Sequence, residues 1–470
     1  MLNTLKSPVL AFRGAFMNKE EFDTLLEKGQ NLSFQGQNKE ALNIFENLLQ
    51  RPINDEQRII LYYELGWCFM QQGNDSAAEV VFQKQHNEAK AQNNKWGLGA
   101  ALNGLGLLHL RRGHLKAALA KLKESLTIRI EIDNKKEIAG AHNNISIVYL
   151  ARGQISQALE FLQKNLEIHL ELNNTPGVHS AYLNLGVVAR LEEDYEKSFG
   201  YFKRVLDEGT EKVFLPIYLR VLHNQALVWQ AMEKWEEMIQ CFEEAIDLAK
   251  ENNVKGEVYA LLLIGLAEEM AKRKPSESIK LLFEAEEIIR GAKSETGKIS
   301  CALGFANVEK EMKNWKEAER RYFKVLKQAE DKQFLDGVLA AYINLAELAL
   351  LHFKHTRDTN LLRKMDNQLE EMFILAEEED LFVLKVLILE LQSYLLFFNH
   401  QFDTALQMIK QAQEIIIKNS LHKYESQIEN HQRKLQDRIK LSKTEQLVPK
   451  INEDDIKAML DIFLEFKKYW

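Results

Sequence analysis

Apolar positions recur along this chain with two superposed periods, one helical and one of forty residues. Within residues 101–126, Leu102, Leu105 and Leu108 keep helical spacing, with His109 beside them. Gly113 interrupts the run, and Leu115, Ala118, Leu119 and Leu122 begin a second helical pattern. Each unit therefore reads as a hairpin: helix A, a tight turn, helix B. The hairpin then repeats. Gly66, Gly106, Ser146, Gly186, Ala226, Leu266, Ala306 and Ala346 form one column at a spacing of forty residues. A mostly small column follows at Ala78, Ala118, Ala158, Ser198, Met238, Ser278 and Ala318, and a large one at Phe82, Leu122, Leu162, Phe202, Phe242, Leu282 and Tyr322. Such a period predicts an all-α solenoid of about ten stacked hairpins rather than one globular core.

The columns carry a packing rationale. Helices approach closely only where side chains are small, so the small positions of A and B are expected to face each other, with the large column filling the gap to the next helix. Gly36, Gly73, Gly113 and Gly153 fall at the turn, where glycine accepts positive φ. Later repeats place Glu193, Glu233 and Lys313 there, which predicts different or strained turns. Helix B ends near Asn94, Asn134, Asn174 and Asn253, read as left-handed helix closers. Towards the C-terminus the pattern degrades. An insertion around residues 352–360 delays the second helix of repeat nine, and repeat ten keeps Ala405, Ile409 and Ala412. The predicted organisation is an N-terminal extension (1–21), the solenoid (22–422), a capping helix (423–442), a linker (443–452) containing Pro449, and an amphipathic helix (453–470).

Composition narrows the function. Apolar residues make up 46% of 470 and proline only 6, which suits long uninterrupted helices. A net charge of −8 argues against nucleic acid as the main partner, since phosphate binding needs a basic face. Cys68, Cys241 and Cys301 lack metal or redox spacing and read as buried hydrophobes of a reducing, cytoplasmic compartment. The apolar run 383–398 is interrupted by Lys385 and Glu390 and is shorter than a membrane span requires. The acid-free residues 1–19 leave a transit segment as an open alternative. His352 and His355 lack a third ligand, and no nucleophile or phosphate-loop motif is present; no cofactor and no catalysis are expected.

The repeat resembles the tetratricopeptide repeat family. Gly66, Phe69, Gly73, Ala78 and Phe82 match its pattern fully; Gly29, Leu32, Gly36, Ala41 and Phe45, and Ser146, Tyr149, Gly153, Ala158 and Leu162, match nearly as well. The resemblance covers about residues 22–422, and the forty-residue period looks like the extended-helix subgroup of polarity adaptors, kinesin light chains and bacterial peptide receptors. It implies a right-handed superhelix that binds a protein or peptide in a concave groove lined by A helices. In those subgroups, asparagines two residues before the Gly66/Gly106 column hold the backbone of an extended peptide. Here the matching residues are Asn144, Asn184 and Asn224, with Asn344 three repeats on. Amides both donate and accept; the alternative is that they bridge neighbouring helices. Asn103, Asn143, Arg190 and His223 are further groove candidates, and Ile147 and Val187, three residues beyond the ladder, would meet ligand side chains. The basic residues of a chaperone-tail clamp are missing apart from Arg220.

The resemblance implies a non-catalytic scaffold or adaptor. Two alternatives are a receptor for a short signalling peptide and an accessory subunit of an enzyme complex. Receptors of that kind usually carry an effector region before the repeats, and repeat one begins near Phe22. The second candidate surface is the tail, where Ile456, Met459, Phe463, Phe466 and Trp470 form an apolar stripe that must be covered. It is expected to dock on the last repeat, occupy the groove of its own or a second molecule, or bind a separate protein.

Overall fold

The computed structural model describes residues 17–34, 37–254, 256–292, 294–445 and 451–469. Gly36, Pro449, Trp470 and the first sixteen residues of the N-terminal extension lie outside the described residues. Among those described there is no strand. Ten helix pairs follow in chain order: α1 (Lys19–Phe34) and α2 (Asn38–Leu49), α3 (Asp55–Gln71) and α4 (Asp75–Ala91), α5 (Lys95–Arg111) and α6 (Leu115–Glu131), α7 (Lys135–Ala151) and α8 (Ile155–Glu171), α9 (Thr175–Leu191) and α10 (Tyr195–Leu206). They continue with α11 (Leu215–Ala231) and α12 (Trp235–Glu251), α13 (Glu257–Met270) and α14 (Pro275–Ala292), α15 (Glu295–Glu311) and α16 (Trp315–Asp331), α17 (Leu335–Thr356) and α18 (Asn360–Glu379), α19 (Phe382–Phe398) and α20 (Phe402–Asn419). A short 3-10 turn leads to α21 (Glu425–Glu445), and α22 (Glu453–Phe466) ends the helical order. The insertion of repeat nine is absorbed by extending α17 to Thr356. The chain forms two compact units: unit 1 comprises Met1–Leu108 and Lys121–Asp133, unit 2 His109–Ala120 and Asn134–Trp470.

The small residues of helix A do more than face those of helix B. A Cβ at Gly66 would lie 2.3 Å from the Phe82 ring, and one at Gly186 would lie 2.2 Å from Phe202. Each glycine is thus the seat of the aromatic sixteen residues on, within its own hairpin. The small B residue closes the same joint: Ser198 Oγ donates to the Gly186 carbonyl at 2.8 Å. Phe45, Phe82, Phe202, Phe242 and Tyr322 are fully buried, each contributing about 2–3 kcal/mol of apolar burial. Their clusters span consecutive hairpins, as where Leu222, Phe242, Leu263 and Leu282 share one core in unit 2.

The turns decide one expectation in favour of strain and correct another. Glu193, Glu233 and Lys313 adopt the same left-handed backbone as the turn glycines, at φ between 59 and 64°. The residues that close helix B in this conformation are Asn93, Asp133, Asn173 and Asn253. Asn94, Asn134 and Asn174, one residue on, instead cap the next A helix, accepting from the backbone N–H of Gly97, Glu137 and Gly177.

Unit 2 also makes contacts far apart in sequence. Gly113, at φ +76°, sits so close to Leu335 that a Cβ would be 2.0 Å from the leucine Cβ; Gly153, at +73°, meets Val383 at 2.3 Å. Both positions require glycine twice over, for the backbone and for the space. Beside them the Lys116 N–H donates to Glu379 at 3.2 Å, and Arg152 pairs with Asp380. The three cysteines are buried and free. Helix α17 is long and apolar enough to cross a membrane, and most of it is buried within the fold. The 383–398 run forms α19, almost entirely interior.

Candidate functional site

Polar links run between A helices of unit 2, joining α7 to α9 and then α11 to α13, α15 and α17 in turn. Asn184 Nδ2 on α9 donates to Asn143 Oδ1 on α7 at 2.7 Å. Gln230 on α11 donates to Glu269 on α13. Asn307 on α15 donates to Glu268 on α13 at 2.7 Å. Lys310 on α15 pairs with Glu347 on α17 and donates to Asn344 at 3.0 Å. Successive partners lie 34–41 residues apart, so the forty-residue repeat stacks equivalent faces.

Several residues of these A helices keep accessible area and yet are closely surrounded by protein. His223 is half-buried, and burial, then the charges of Arg190 and Arg220, push its pKa down to about 4. Burial raises the Glu269 carboxyl to about 7, with like-charged Glu268 adding to it. Arg220 is exposed by area, but its surroundings still lower its pKa through desolvation.

The asparagine ladder is not uniform. Asn144 and Asn184 are half-buried on α7 and α9; Asn184 spends its Nδ2 on Asn143, linking the two helices, and keeps accessible area. Asn224 donates to the Arg220 carbonyl one turn earlier on α11. Asn344 departs from expectation: it is buried, donates to the Ala340 carbonyl and accepts from Lys310. Asn103 is likewise buried, in unit 1, accepting from Arg129. Neither amide is presented to a ligand, because neighbouring cations claim their oxygens. Ile147 is exposed, whereas Val187 packs partly against the core around Leu183, Phe202 and Val221. Arg190 and His223 stand on the adjoining helices α9 and α11.

The tail docks within its own chain. Ile456, Met459, Phe463 and Phe466 are fully buried, and α22 packs on α17 and α19. Asn452 and Asp455 form a capping box, and Asp455 pairs with Arg438 of α21. This stripe is therefore not free for a partner. Beyond it, Lys467 Nζ reaches Glu347 at 2.6 Å, and Lys468 reaches Glu193 at 2.6 Å. Burial alone would raise the Glu347 carboxyl; Lys310 and Lys467 overcome this and hold it at about 2.

Sequence reasoning missed Lys310, Glu268, Glu269 and Glu347. Their signal was position: Glu347 lies three residues beyond Asn344, in phase with the groove candidates Ile147 and Val187. His352 and His355 stack on Trp315, and no three potential metal ligands cluster among the described residues.

Comparison with known proteins agrees with this architecture. Residues 137–207 match the tetratricopeptide repeat model, and residues 69–152 and 187–264 match that of anaphase-promoting complex subunit 5. The chain is a tetratricopeptide-repeat-type helical solenoid. A Rap protein complexed with competence and sporulation factor is similar in fold, at 12% identity and a TM-score of 0.57 over 76% of this chain and 99% of that one. The quorum sensor NprR from B. thuringiensis gives 16% and 0.51 over 74% and 99%. The Rap conjugation gene regulator of plasmid pLS20, in complex with the Phr* peptide, gives 14% and 0.50 over 76% and 97%. No curated protein matches the chain by sequence.

Proposed function

We propose that unit 2 is a non-catalytic, cytoplasmic peptide-binding scaffold whose A-helix wall from α7 to α11 holds an extended segment of a partner protein. The observation that carries this reading is the row of accessible amides at Asn144, Asn184 and Asn224 on three successive A helices, with Ile147 exposed beside them. An extended backbone offers alternating donors and acceptors, which amides match whatever the side chains. The similar folds solved with peptides, including NprR with its cognate peptide NprX, support the same use of the wall. The match to a subunit of a multiprotein assembly favours a second reading, an accessory subunit, in which the held segment belongs to a fellow subunit.

The test is affinity capture from native cells, comparing wild type with Asn184→Ala/Asn224→Ala and checking both by circular dichroism. Loss of a defined partner from a folded variant supports the groove. Retention of every partner sinks it.

A further inference from the structure

The residue that follows the large column faces solvent in successive hairpins. It is Gln83, Lys123, Gln163, Lys203 and Glu243 in five B helices, all exposed. In the next two, α14 and α16, it is Phe283 and Phe323, and both remain outside, at 56% and 47% exposure. A polar position that turns aromatic twice in succession leaves apolar surface in water that the stack does not require. Beside Phe283 a cavity of about 280 Å³ opens between α14 and α16. Cys301, Ala302 and Phe305 of α15 form its floor, and Ile289 and Val325 line its sides. The Phe283 and Phe305 rings stand edge to face at 5.2 Å, and the Arg321 guanidinium lies over Phe305 at 5.7 Å. The volume falls short of the roughly 300–1,000 Å³ of small-molecule sites and suits one large side chain. Four charged residues complete the lining, and three are answered. Glu286 faces Arg290 at 3.8 Å, Lys298 meets Glu295 at 2.6 Å, and Arg321 meets Glu317 at 2.9 Å. The fourth, Lys324, is exposed and has no ion-pair or hydrogen-bond partner among the described residues.

We infer that the cleft between α14 and α16 is a second interaction surface, which takes one aromatic or leucine-sized side chain of a partner protein with an acidic residue beside it. The anchor enters the cavity against Phe283 and Phe305, where a large apolar group is fully desolvated. The neighbouring carboxylate answers Lys324 at the rim. Phe323, one hairpin on, extends the apolar contact. This surface is built from two B helices and α15, and it stands independently of the extended segment proposed for α7 to α11.

The probe is a displayed library of random dodecapeptides, first depleted on the full-chain Phe283→Gln/Phe323→Gln variant and then selected on the full-chain wild type. Glutamine already stands at this position in Gln83 and Gln163, so the variant should melt with the wild type. Lys324→Glu, which alters only an exposed side chain, keeps a second readout if the glutamine pair disturbs packing. Enriched peptides are resynthesised with the anchor as alanine and with the acid as lysine, and binding is read by fluorescence anisotropy. The expected result is a shared large apolar residue with Asp or Glu within four positions of it. Kd should rise roughly 10- to 100-fold on Phe283→Gln or on truncation of the anchor, and roughly 3- to 10-fold on Lys324→Glu. Exchanging the peptide acid for lysine should restore affinity for Lys324→Glu and weaken it for wild type. Peptides held on α7 to α11 are removed at the depletion step, so the two surfaces are read apart. No peptide surviving depletion, or survivors indifferent to Lys324→Glu, would overturn the proposal. A wild-type dimer in light scattering that Phe283→Gln makes monomeric would overturn it too, since a second copy of this chain would then cover the cleft.

Discussion

Replacing Glu347 with glutamine tests how the tail is held on the A helices. Glu347 and Lys310 are both nearly inaccessible, and Lys467 completes the cluster from beyond α22. Glu347→Gln keeps the shape and one acceptor oxygen but leaves two lysines facing each other in a desolvated site. Breaking a buried pair by removing one partner costs about 3–5 kcal/mol. A second route agrees: a carboxyl held at about 2 against an ordinary value of 4.5 contributes about 3 kcal/mol at neutral pH. The sign follows from the depression. This stability is fully present above about pH 4.5 and is lost as pH falls through about 2. The assay is urea unfolding followed by circular dichroism, together with hydrogen exchange of residues 451–469, whose protection should fall as Lys467 loses its anchor. Glu347→Gln/Lys310→Met should recover most of the loss, because no buried charge is then stranded on α15. A penalty below about 1 kcal/mol, or a double variant no better than the single, would refute the reasoning.

Three further predictions follow from the packing and the charges. Gly186→Ala drives a methyl into the Phe202 ring and should destabilise by about 1–3 kcal/mol, with Phe202→Leu partly relieving it; equal melting of Gly186→Ala and wild type would count against the seating of the aromatic on glycine. Glu269→Gln should stabilise by about 1 kcal/mol or more at pH 8 and change nothing at pH 4. The raised carboxyl penalises the fold progressively between about pH 4.5 and 7, and identical melting curves at both pH values would disprove it. Asp380→Asn keeps the left-handed turn but removes the charge opposite Arg152; a loss of about 1–2 kcal/mol is expected, with faster amide exchange at residues 109–120, and unchanged exchange there would contradict the coupling.

The helices were legible in the sequence because each hairpin is specified locally, by the Gly66, Ala78 and Phe82 columns and the turn residue between them. The groove was legible only in outline. Asn144, Asn184 and Asn224 are in phase along the chain, but phase cannot tell an amide facing solvent from one tied to the next helix, as Asn184 is to Asn143. Asn344 failed for the same reason: its oxygen is claimed by Lys310, whose burial depends on stacking and not on its acidic neighbours Glu309 and Glu311. Asn94, Asn134 and Asn174 were misassigned by one residue, because asparagine serves both a left-handed closure and an N-cap, and here two polar residues in succession divide those tasks. Docking on the last repeat was one of three destinations open to the apolar stripe of α22, and α19 belongs to that repeat; the share taken by α17, in the repeat before, carried no local signal.

A stack of repeats ordinarily lengthens or shortens by whole units, because each touches only its neighbours. The meetings of Gly113 with Leu335, Gly153 with Val383 and Arg152 with Asp380 remove that freedom from unit 2. Duplicating or deleting one hairpin between α8 and α17 would carry Val383 and Asp380 past their glycine and arginine counterparts, so the number of hairpins in that interval is fixed by geometry. Descendants of this chain can vary their groove residues freely, but they must keep the count.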